Sequence, residues 1–244
     1  MRFKYIAKKF IPKYLLKYYE KFCVWKITIS NYKKSRTDIF EEIYNNAVWG
    51  SKPGQKFCSG TGSHLPQITE PYLKSVSTWL RKYNPHLSGV DLGCGDFNLG
   101  SRLRNFIGEF AACDISKSVI DENIKRYKDL DIDFFCLDIV KDELPNGDIA
   151  FLRQVLQHLS NTEIKIILKK IGQKYKYLVI TEHIPLGDYA PNIEKSTGSH
   201  IRLTLNSGVN VEATPFSLKY IEREVLCEVV HERSLIKTIA YRLK

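Results

Sequence analysis

Val90-Asp91-Leu92-Gly93-Cys94-Gly95-Asp96-Phe97-Asn98-Leu99-Gly100 is the stretch on which the fold turns. Apolar residues run into a glycine turn, and helical spacing resumes beyond it, so the spacing predicts a strand over residues 89–94 and a helix over 99–107. Glycines in such a turn let the backbone approach a ligand that a Cβ would block. A second predicted strand ends in Cys113-Asp114-Ile115. Its acid falls about 20 residues past the glycines, where a carboxylate accepts hydrogen bonds from a ribose diol. A third ends in Leu137-Asp138-Ile139. Gly95 is followed by Asp96, Phe97 and Asn98, so there is no GxGxxG, and no GK[ST] occurs. The turn is therefore poorly suited to a pyrophosphate, which disfavours NAD and ATP and favours a nucleoside ligand without phosphates.

Outward from this turn the chain alternates. A helix is expected over 66–83, stopped by Asn84-Pro85, then strand 110–115, helix 117–129, strand 132–139, strand 148–154, helix 161–173 and strand 177–183. A short helix is expected around 216–223. Two β runs about Glu232-Arg233 then predict an antiparallel pair. Such alternation argues for an α/β fold with a parallel sheet covered on both faces. Residues 48–65 read as a Gly/Ser-rich loop headed by Trp49, and 184–215 as a long irregular segment. Loops of that length are functional or disordered, so both are expected as lids, with a flexible linker and a disordered insertion as the competing readings.

The chain has 244 residues, 43% of them hydrophobic and 26% charged, as expected of one soluble globular domain with appendages. No 18-residue apolar run is present and the N-terminus shows no signal-like apolar core, so neither a spanning helix nor secretion is expected. The six cysteines form no CxxC and no zinc spacing; reduced cytosolic thiols and no metal are expected.

The net charge of +10 sits in one place: residues 1–36 hold eleven Lys or Arg and one acid, Glu20. Phe3, Ile6, Phe10, Tyr14, Tyr18, Phe22, Trp25 and Ile29 recur there at helical spacing between lysines, with a kink or restart expected at Pro12. A further short helix is expected from Asp38 to near Ala47. Residues 1–47 are read as a basic amphipathic extension and 48–244 as the main domain. Three uses of the arm compete: a helix lying on an anionic cytoplasmic membrane face, contacts to nucleic-acid phosphates, or packing on the body or another subunit. No recognised RNA-binding module accompanies it, which makes nucleic acid the weaker partner.

VDLGCGDFNLG resembles motif I of class I S-adenosylmethionine (SAM) dependent methyltransferases. Asp114 matches the acid such enzymes place on the ribose, Leu137-Asp138-Ile139 the segment flanking the adenine, and Phe151 to Leu159 (FLRQVLQHL) the segment after strand four. The resemblance implies a Rossmann-like, mostly parallel seven-stranded sheet with an antiparallel C-terminal hairpin. It implies SAM as cofactor, held by Asp91, Gly93, Gly95, Asp114 and Ile115, with Asp138 and Ile139 at the adenine and Gln154 at the methionine part. Other readings of single residues stay open: a turn of another Rossmann-like fold for the glycines, a helix cap for Asp114, a surface-turn acid for Asp138. More narrowly, FEEIY…WG…SGTGS, CGDFN, LRQVLQHLS and a late IRL…PF resemble a bacterial subgroup associated with sugar and surface-polysaccharide biosynthesis.

Ligands of parallel α/β sheets lie at the carboxyl ends of the strands. That places Arg153, Gln154, Gln157 and His158 beside the methyl to be transferred. A hydroxyl acceptor needs a base, for which His158 stands first and His183 in reserve, against the alternative of a helix-capping or packing histidine. Arg153, Gln157, Glu182 and Arg202 are candidate acceptor contacts, and Trp49 would cover the adenosine or stack on a sugar face. No [DN]PP[YF] follows strand four and no Pro-Cys nucleophile is present, so amino-methylation of DNA, RNA or glutamine and C5-pyrimidine chemistry are set aside. The expectation is O-methylation of a glycan (free or lipid-linked) or another small polar acceptor, in the cytoplasm or peripherally on the inner membrane face. The rivals are an RNA methyltransferase using the arm and a non-catalytic SAM-binding membrane adaptor.

Overall fold

Strand alternation decides which face each residue serves. In β4 (Ile149–Arg153), Ile149 and Phe151 join one core cluster while Ala150 and Leu152 join the other, the period-two pattern of a strand buried on both sides. The computed structural model describes residues 22, 25, 26, 28–83, 85–232 and 234–244. Seven strands form one sheet in the order β3-β2-β1-β4-β5-β7-β6. The strands are β1 (Gly89–Leu92), β2 (Phe110–Asp114), β3 (Asp133–Cys136), β4, β5 (Tyr177–Pro185), β6 (Glu222–His231) and β7 (Ser234–Arg242). Strands β1 to β5 run parallel, and β7 pairs antiparallel with both β5 and β6. The expected α/β architecture with its C-terminal hairpin is thus present.

Helices cover both faces. α2 (Pro66–Leu80) starts with Pro66 in its first turn and packs Tyr72, Val76, Trp79 and Leu80 against Phe110, Phe151 and Val179. α5 (Asn161–Lys174) starts at a capping box, Ser160 with Glu163, and buries Ile164, Ile167 and Ile171 beneath Leu152, Leu178 and Ile180. α3 (Asn98–Leu103) and α4 (Lys117–Arg126) follow β1 and β2. The expected helix over 99–107 is α3 with a 3-10 turn, Arg104–Phe106, and that over 117–129 stops at Arg126.

One expected element is absent. Residues 216–223 are not helical; β6 begins at Glu222, and the apolar spacing that suggested a helix comes from Phe216 and Leu218 packing onto the core. Their amides serve other partners: Leu218 N–H donates to Val211 O at 2.9 Å and Ile221 N–H to Arg242 O at 2.7 Å. β5 also runs two residues past its expected end, because β7 pairs with it as far as Pro185 opposite Ser234.

Most of the amphipathic pattern assigned to residues 1–36, including Pro12, lies outside the described residues. α1 (Arg36–Asn45) is described in full and starts at a second capping box, Ser35 with Asp38. It is bolted to the body. Arg36 pairs with Asp138 and Glu163, and Glu41 accepts from the backbone N–H of Ser118 at 3.0 Å and from its hydroxyl. Just upstream, Thr28 meets Ser196 hydroxyl to hydroxyl at 2.9 Å, and Asn31 reaches Thr197 O. Glu163 thereby collects three segments: Arg36, its own cap residue Ser160, and the Thr197 hydroxyl.

The segment after β5 is ordered by side chains that take up its backbone. Asn192 donates to Asn210 O and Thr214 O and accepts from Asn210 N. Arg202, fully buried, donates to the carbonyls of Leu156, Gln157, Leu159 and Ile193 and to Asn161 Oδ1. Among the described residues no helix is long and apolar enough to cross a membrane.

Candidate functional site

A cavity of about 590 Å³ opens at the carboxyl ends of β1, β2, β4 and β5. Its floor is the turn after β1. Gly93 (φ 79°) and Gly95 (φ 55°) adopt left-handed backbone, and a Cβ on Gly93 would come within 2.7 Å of Val155 Cγ2. A Cβ on Gly95 would collide with Ser59 Oγ. The turn is held by Cys113 O, which accepts from Gly93 N and Cys94 N. Asp114, at the end of β2, accepts from Gly95 N and Ser116 N, both at 3.0 Å, while Ser116 itself caps α4. Asp114 therefore ties the turn together and still lines the cavity with Ile115. Burial pushes its pKa up to about 6 and that of Asp91 up to about 7. Among the described residues the Asp91 side chain has no hydrogen-bond partner, and it lines the cavity.

Residues 59–64 are stitched to this turn through Asp96. Its carboxylate accepts from Ser59 N at 2.9 Å, His64 Nε2 at 2.6 Å and Asn98 N at 3.3 Å, and Ser59 Oγ accepts from Asp96 N. These bonds hold Asp96 below the usual carboxylate range, against the opposing effect of burial, which is the larger single influence. Cys58, His64 and Asp96 bring donor atoms within 4.8 Å of one another, and the hydrogen bonds just given already use that carboxylate. Arg153 donates to Gly62 O at 2.6 Å and lies over the Tyr72 ring.

Toward the end of β3 the wall is Leu137, Asp138 and Ile139. The Asp138 carboxylate is engaged by Arg36, through Nη2 at 2.7 Å and Nε at 3.0 Å, and by Val140 N. Arg36, Phe40 and Tyr44 of α1 complete this side. Phe40 and Tyr44 end the FEEIY stretch quoted for the narrower resemblance, but neither they nor Arg36 were expected at the site. The signal was there, in the Ser35-x-x-Asp38 capping pattern ahead of Ile39 and Ile43, but nothing local said that this helix would close the cavity. Tyr44 packs edge-on against Trp49 at 5.1 Å, and Trp49 lies against His158 with ring centroids 4.9 Å apart.

The end of β4 carries Arg153, Gln154, Gln157 and His158, all at the wall. His158 is buried, its Nδ1 3.2 Å from Gly198 O and its Nε2 3.4 Å from Gln157 Nε2. Burial, with Lys195 adding to it, lowers its pKa to about 3. His183, from the end of β5, has Nε2 2.6 Å from Ser234 Oγ, and that hydroxyl donates to His231 O at 2.6 Å. With its proton given to the carbonyl, Ser234 accepts from His183 Nε2–H, which leaves Nδ1 as the lone-pair nitrogen. Burial and then His231 lower the His183 pKa to about 4.

Two expected acceptor contacts stand elsewhere. Glu182 points away from the cavity, accepts from Leu156 N at 3.1 Å, and is pushed up to about 8 by burial. Arg202 is spent on the carbonyls it braces and does not reach the cavity wall. The structure thus gathers Trp49, Asp91, Gly93, Gly95, Asp114, Ile115, Asp138, Ile139, Arg153, Gln154, Gln157, His158 and His183 round one cavity, and leaves Glu182 and Arg202 behind it.

No family model matches the sequence, and no curated protein sequence matches it. Solved structures do. The N-methyltransferase NodS from Bradyrhizobium japonicum WM9, in complex with S-adenosyl-L-homocysteine, is similar with a TM-score of 0.53 and 15% identity, over 75% of this chain and 91% of that one. The magnesium protoporphyrin IX methyltransferase ChlM from Synechocystis PCC 6803, with bound S-adenosyl-L-homocysteine, is similar with a TM-score of 0.55 and 13% identity, over 85% of this chain and all (100%) of that one. The N-terminal domain of EvdMO1, also with S-adenosyl-L-homocysteine bound, gives 0.51 and 11%, over 70% and 81%. At these identities what is shared is the fold, the Rossmann-like fold of class I methyltransferases.

Proposed function

We propose that the chain is a SAM-dependent methyltransferase acting on a hydroxyl of a saccharide or another small polar acceptor. The observation that carries the proposal is the ionisable Asp91 at the floor of the cavity, half-buried beside a glycine turn that only a small backbone can form. An ammonium group of the ligand would pair with this carboxylate directly, and the turn leaves room for a nucleoside rather than a pyrophosphate. Bound SAM would supply an electrophilic methyl group on a sulfonium.

This chain's residues would do the rest. Asp91 holds the amino group. Asp114, which lines the cavity while accepting from Gly95 N and Ser116 N, would accept from the ribose diol. Ile115 and Ile139, both at the cavity wall, would flank the base. Asp138, paired with Arg36, keeps α1 in place at that side. Gln154 and Arg153 border the methionine part. Trp49, packed between Tyr44 and His158, keeps water from the reacting region. The acceptor hydroxyl is deprotonated at His183 Nδ1, the free lone pair of the hydrogen-bond chain through Ser234. His158 has both ring nitrogens engaged and serves to position Gln157 and the Gly198 loop. Residues 48–65 and 184–215 frame the acceptor side as lids, the first pinned at Asp96.

The sugar assignment is supported by the resemblance of FEEIY…WG…SGTGS and LRQVLQHLS to the polysaccharide-associated subgroup, and by the neutral imidazoles and hydroxyls that face the cavity. The basic arm supports a peripheral position on an anionic membrane: Phe22, Trp25 and Ile29 are exposed by 49%, 57% and 55% along one helical face among lysines. Binding to phosphatidylglycerol vesicles but not to phosphatidylcholine vesicles, weakened by Trp25→Ala, is the expected result; equal binding to both would refute it.

The test of activity is incubation with methyl-labelled SAM and a cell extract, followed by fractionation. Label in saccharide or lipid-linked material is expected. Label in RNA would overturn the acceptor class, and SAM binding without label in any fraction would favour the non-catalytic rival.

A further inference from the structure

The helix that precedes α1 is built the wrong way round for a surface helix. Residues 22, 25, 26 and 28–31 are helical among those described. At about 100° per residue Phe22, Trp25 and Ile29 share one face, Asn31 lies on the opposite one, and Thr28 falls between Asn31 and Trp25. The apolar face is the one turned to solvent: Phe22, Trp25 and Ile29 are exposed, and Phe22 stacks on Trp25 with ring centroids 5.8 Å apart. The polar side is the one turned to the body, where Thr28 meets the Ser196 hydroxyl at 2.9 Å and Asn31 Nδ2 donates to Thr197 O at 3.4 Å. An amphipathic helix docked on a protein ordinarily does the opposite.

What the polar side touches is the stretch that becomes the cavity wall. Thr197 Oγ1 donates to Glu163 and accepts from Ser160 N. One residue on, Gly198 N donates to His158 O at 3.0 Å, and Gly198 O lies 3.2 Å from His158 Nδ1. Ser199 and His200 then line the cavity. Along four consecutive residues, Ser196 and Thr197 meet the arm, Gly198 meets His158, and Ser199 faces the cavity. Downstream, Arg36 is fixed to Asp138 and Glu163, so only residues 32–35 separate this helix from an anchored point.

Two such hydrogen bonds hold weakly, and a short helix alone is marginal in water. Thr28 and Asn31, three residues apart, reach the wall together only while the turn between them is helical. A bilayer that takes up Phe22, Trp25 and Ile29 favours the helical arm over the coil. Anionic lipid is the surface that fits, because residues 1–36 hold eleven Lys or Arg against one acid. We propose that an anionic bilayer activates this site: binding of the arm fixes Thr28 and Asn31 on residues 196–197 and closes the Gly198–His158 wall of the acceptor side. The proposal rests on the reading of the arm as a membrane anchor and of the cavity as a methyl-acceptor site.

The test is hydrogen exchange of the full chain, read by mass spectrometry on peptides spanning residues 195–200, alone and with phosphatidylglycerol or phosphatidylcholine vesicles. The Gly198 amide, bonded to His158 O, reports closure of the wall. Phosphatidylglycerol vesicles slow exchange there by about fivefold or more, and phosphatidylcholine vesicles do not. The double variant Thr28→Val with Asn31→Ala keeps the exposed apolar face, still sediments with phosphatidylglycerol vesicles, and loses the slowing. Simple shielding of the segment by lipid would leave the slowing in place, so slowing that survives the double substitution would overturn the coupling. Sedimentation separates the remaining failures: binding to phosphatidylglycerol vesicles without a change at 195–200 sinks the coupling alone, while no binding sinks the membrane reading of the arm and the coupling with it. None of these readouts needs turnover, so a failure of the methyl-transfer reading shows separately, in the incubation with labelled SAM.

Discussion

Arg36, the first residue of α1, closes on Asp138 of the cavity wall with Nη2 2.7 Å from Oδ2, and its Nη1 reaches Glu163 at 2.8 Å. The three side chains are each less than a fifth exposed. The acid at the end of β3 therefore belongs to a helix about a hundred residues upstream before it belongs to any ligand.

Arg36→Ala leaves two half-buried carboxylates facing each other. The cost is expected to be about 1–3 kcal/mol, between a surface pair and a buried one. SAM affinity should fall at the same time, because α1 carries Tyr44 and Phe40 to the cavity. Urea unfolding and calorimetry check both. Loss of stability with SAM affinity unchanged would separate α1 from the cofactor side.

Asp91 makes cofactor affinity depend on pH. Its folded pKa is raised to about 7, so the free protein holds a proton there that the unfolded chain has shed above about pH 4. Stability from this group is therefore present at low pH and is lost as pH rises through 7. Pairing with a ligand ammonium expels that proton, so SAM affinity is expected to rise up to tenfold from pH 6 to 7, and to fall again above about 8 as an α-amino group deprotonates. Asp91→Asn should abolish the rise and weaken binding overall. Calorimetry at several pH values reads both, and a rise that persists in the variant would place the proton on another group.

His183 and His158 make opposite predictions. Replacing His183 by Gln removes the only lone pair left free by the Ser234 chain, and turnover should drop about 10²- to 10⁴-fold with SAM affinity intact. The base must be unprotonated, so activity stays level above its folded pKa of about 4 and falls below it. His158→Gln should cost far less in turnover and more in stability. The reverse order in labelled-methyl transfer would return His158 to the role the sequence suggested.

Arg202→Met should destabilise the protein by about 3 kcal/mol or more, since it strips donors from four buried carbonyls and the Asn161 side chain at once. Limited proteolysis should then cut within residues 184–215. A variant as stable and as resistant as the parent would mean that the brace is not needed.

The sheet and the turn after β1 were legible because each depends on residues next to one another: apolar runs bounded by polar residues, glycines at fixed offsets, an acid closing the following strand. The acceptor side was less so. Whether an arginine in a loop contacts a ligand or braces a fold depends on what lies forty residues away, as with Arg202 and Leu156 to Leu159. Which histidine keeps a free lone pair depends on Gly198 for His158 and on Ser234 for His183, both distant in sequence. The expected helix at 216–223 failed for a related reason: its apolar residues face the core from a loop whose amides are claimed by Val211 and Arg242.

Glu163 also imposes an order of assembly during synthesis. Arg36 leaves the ribosome early, yet its carboxylate partner follows 127 residues later, and Thr197, which shares that carboxylate, later still. Domains ordinarily fold from the N-terminus as they emerge. Here α1 has to wait until α5 and the stretch beyond β5 have been made, so a side of the cavity translated before the rest is the last to close.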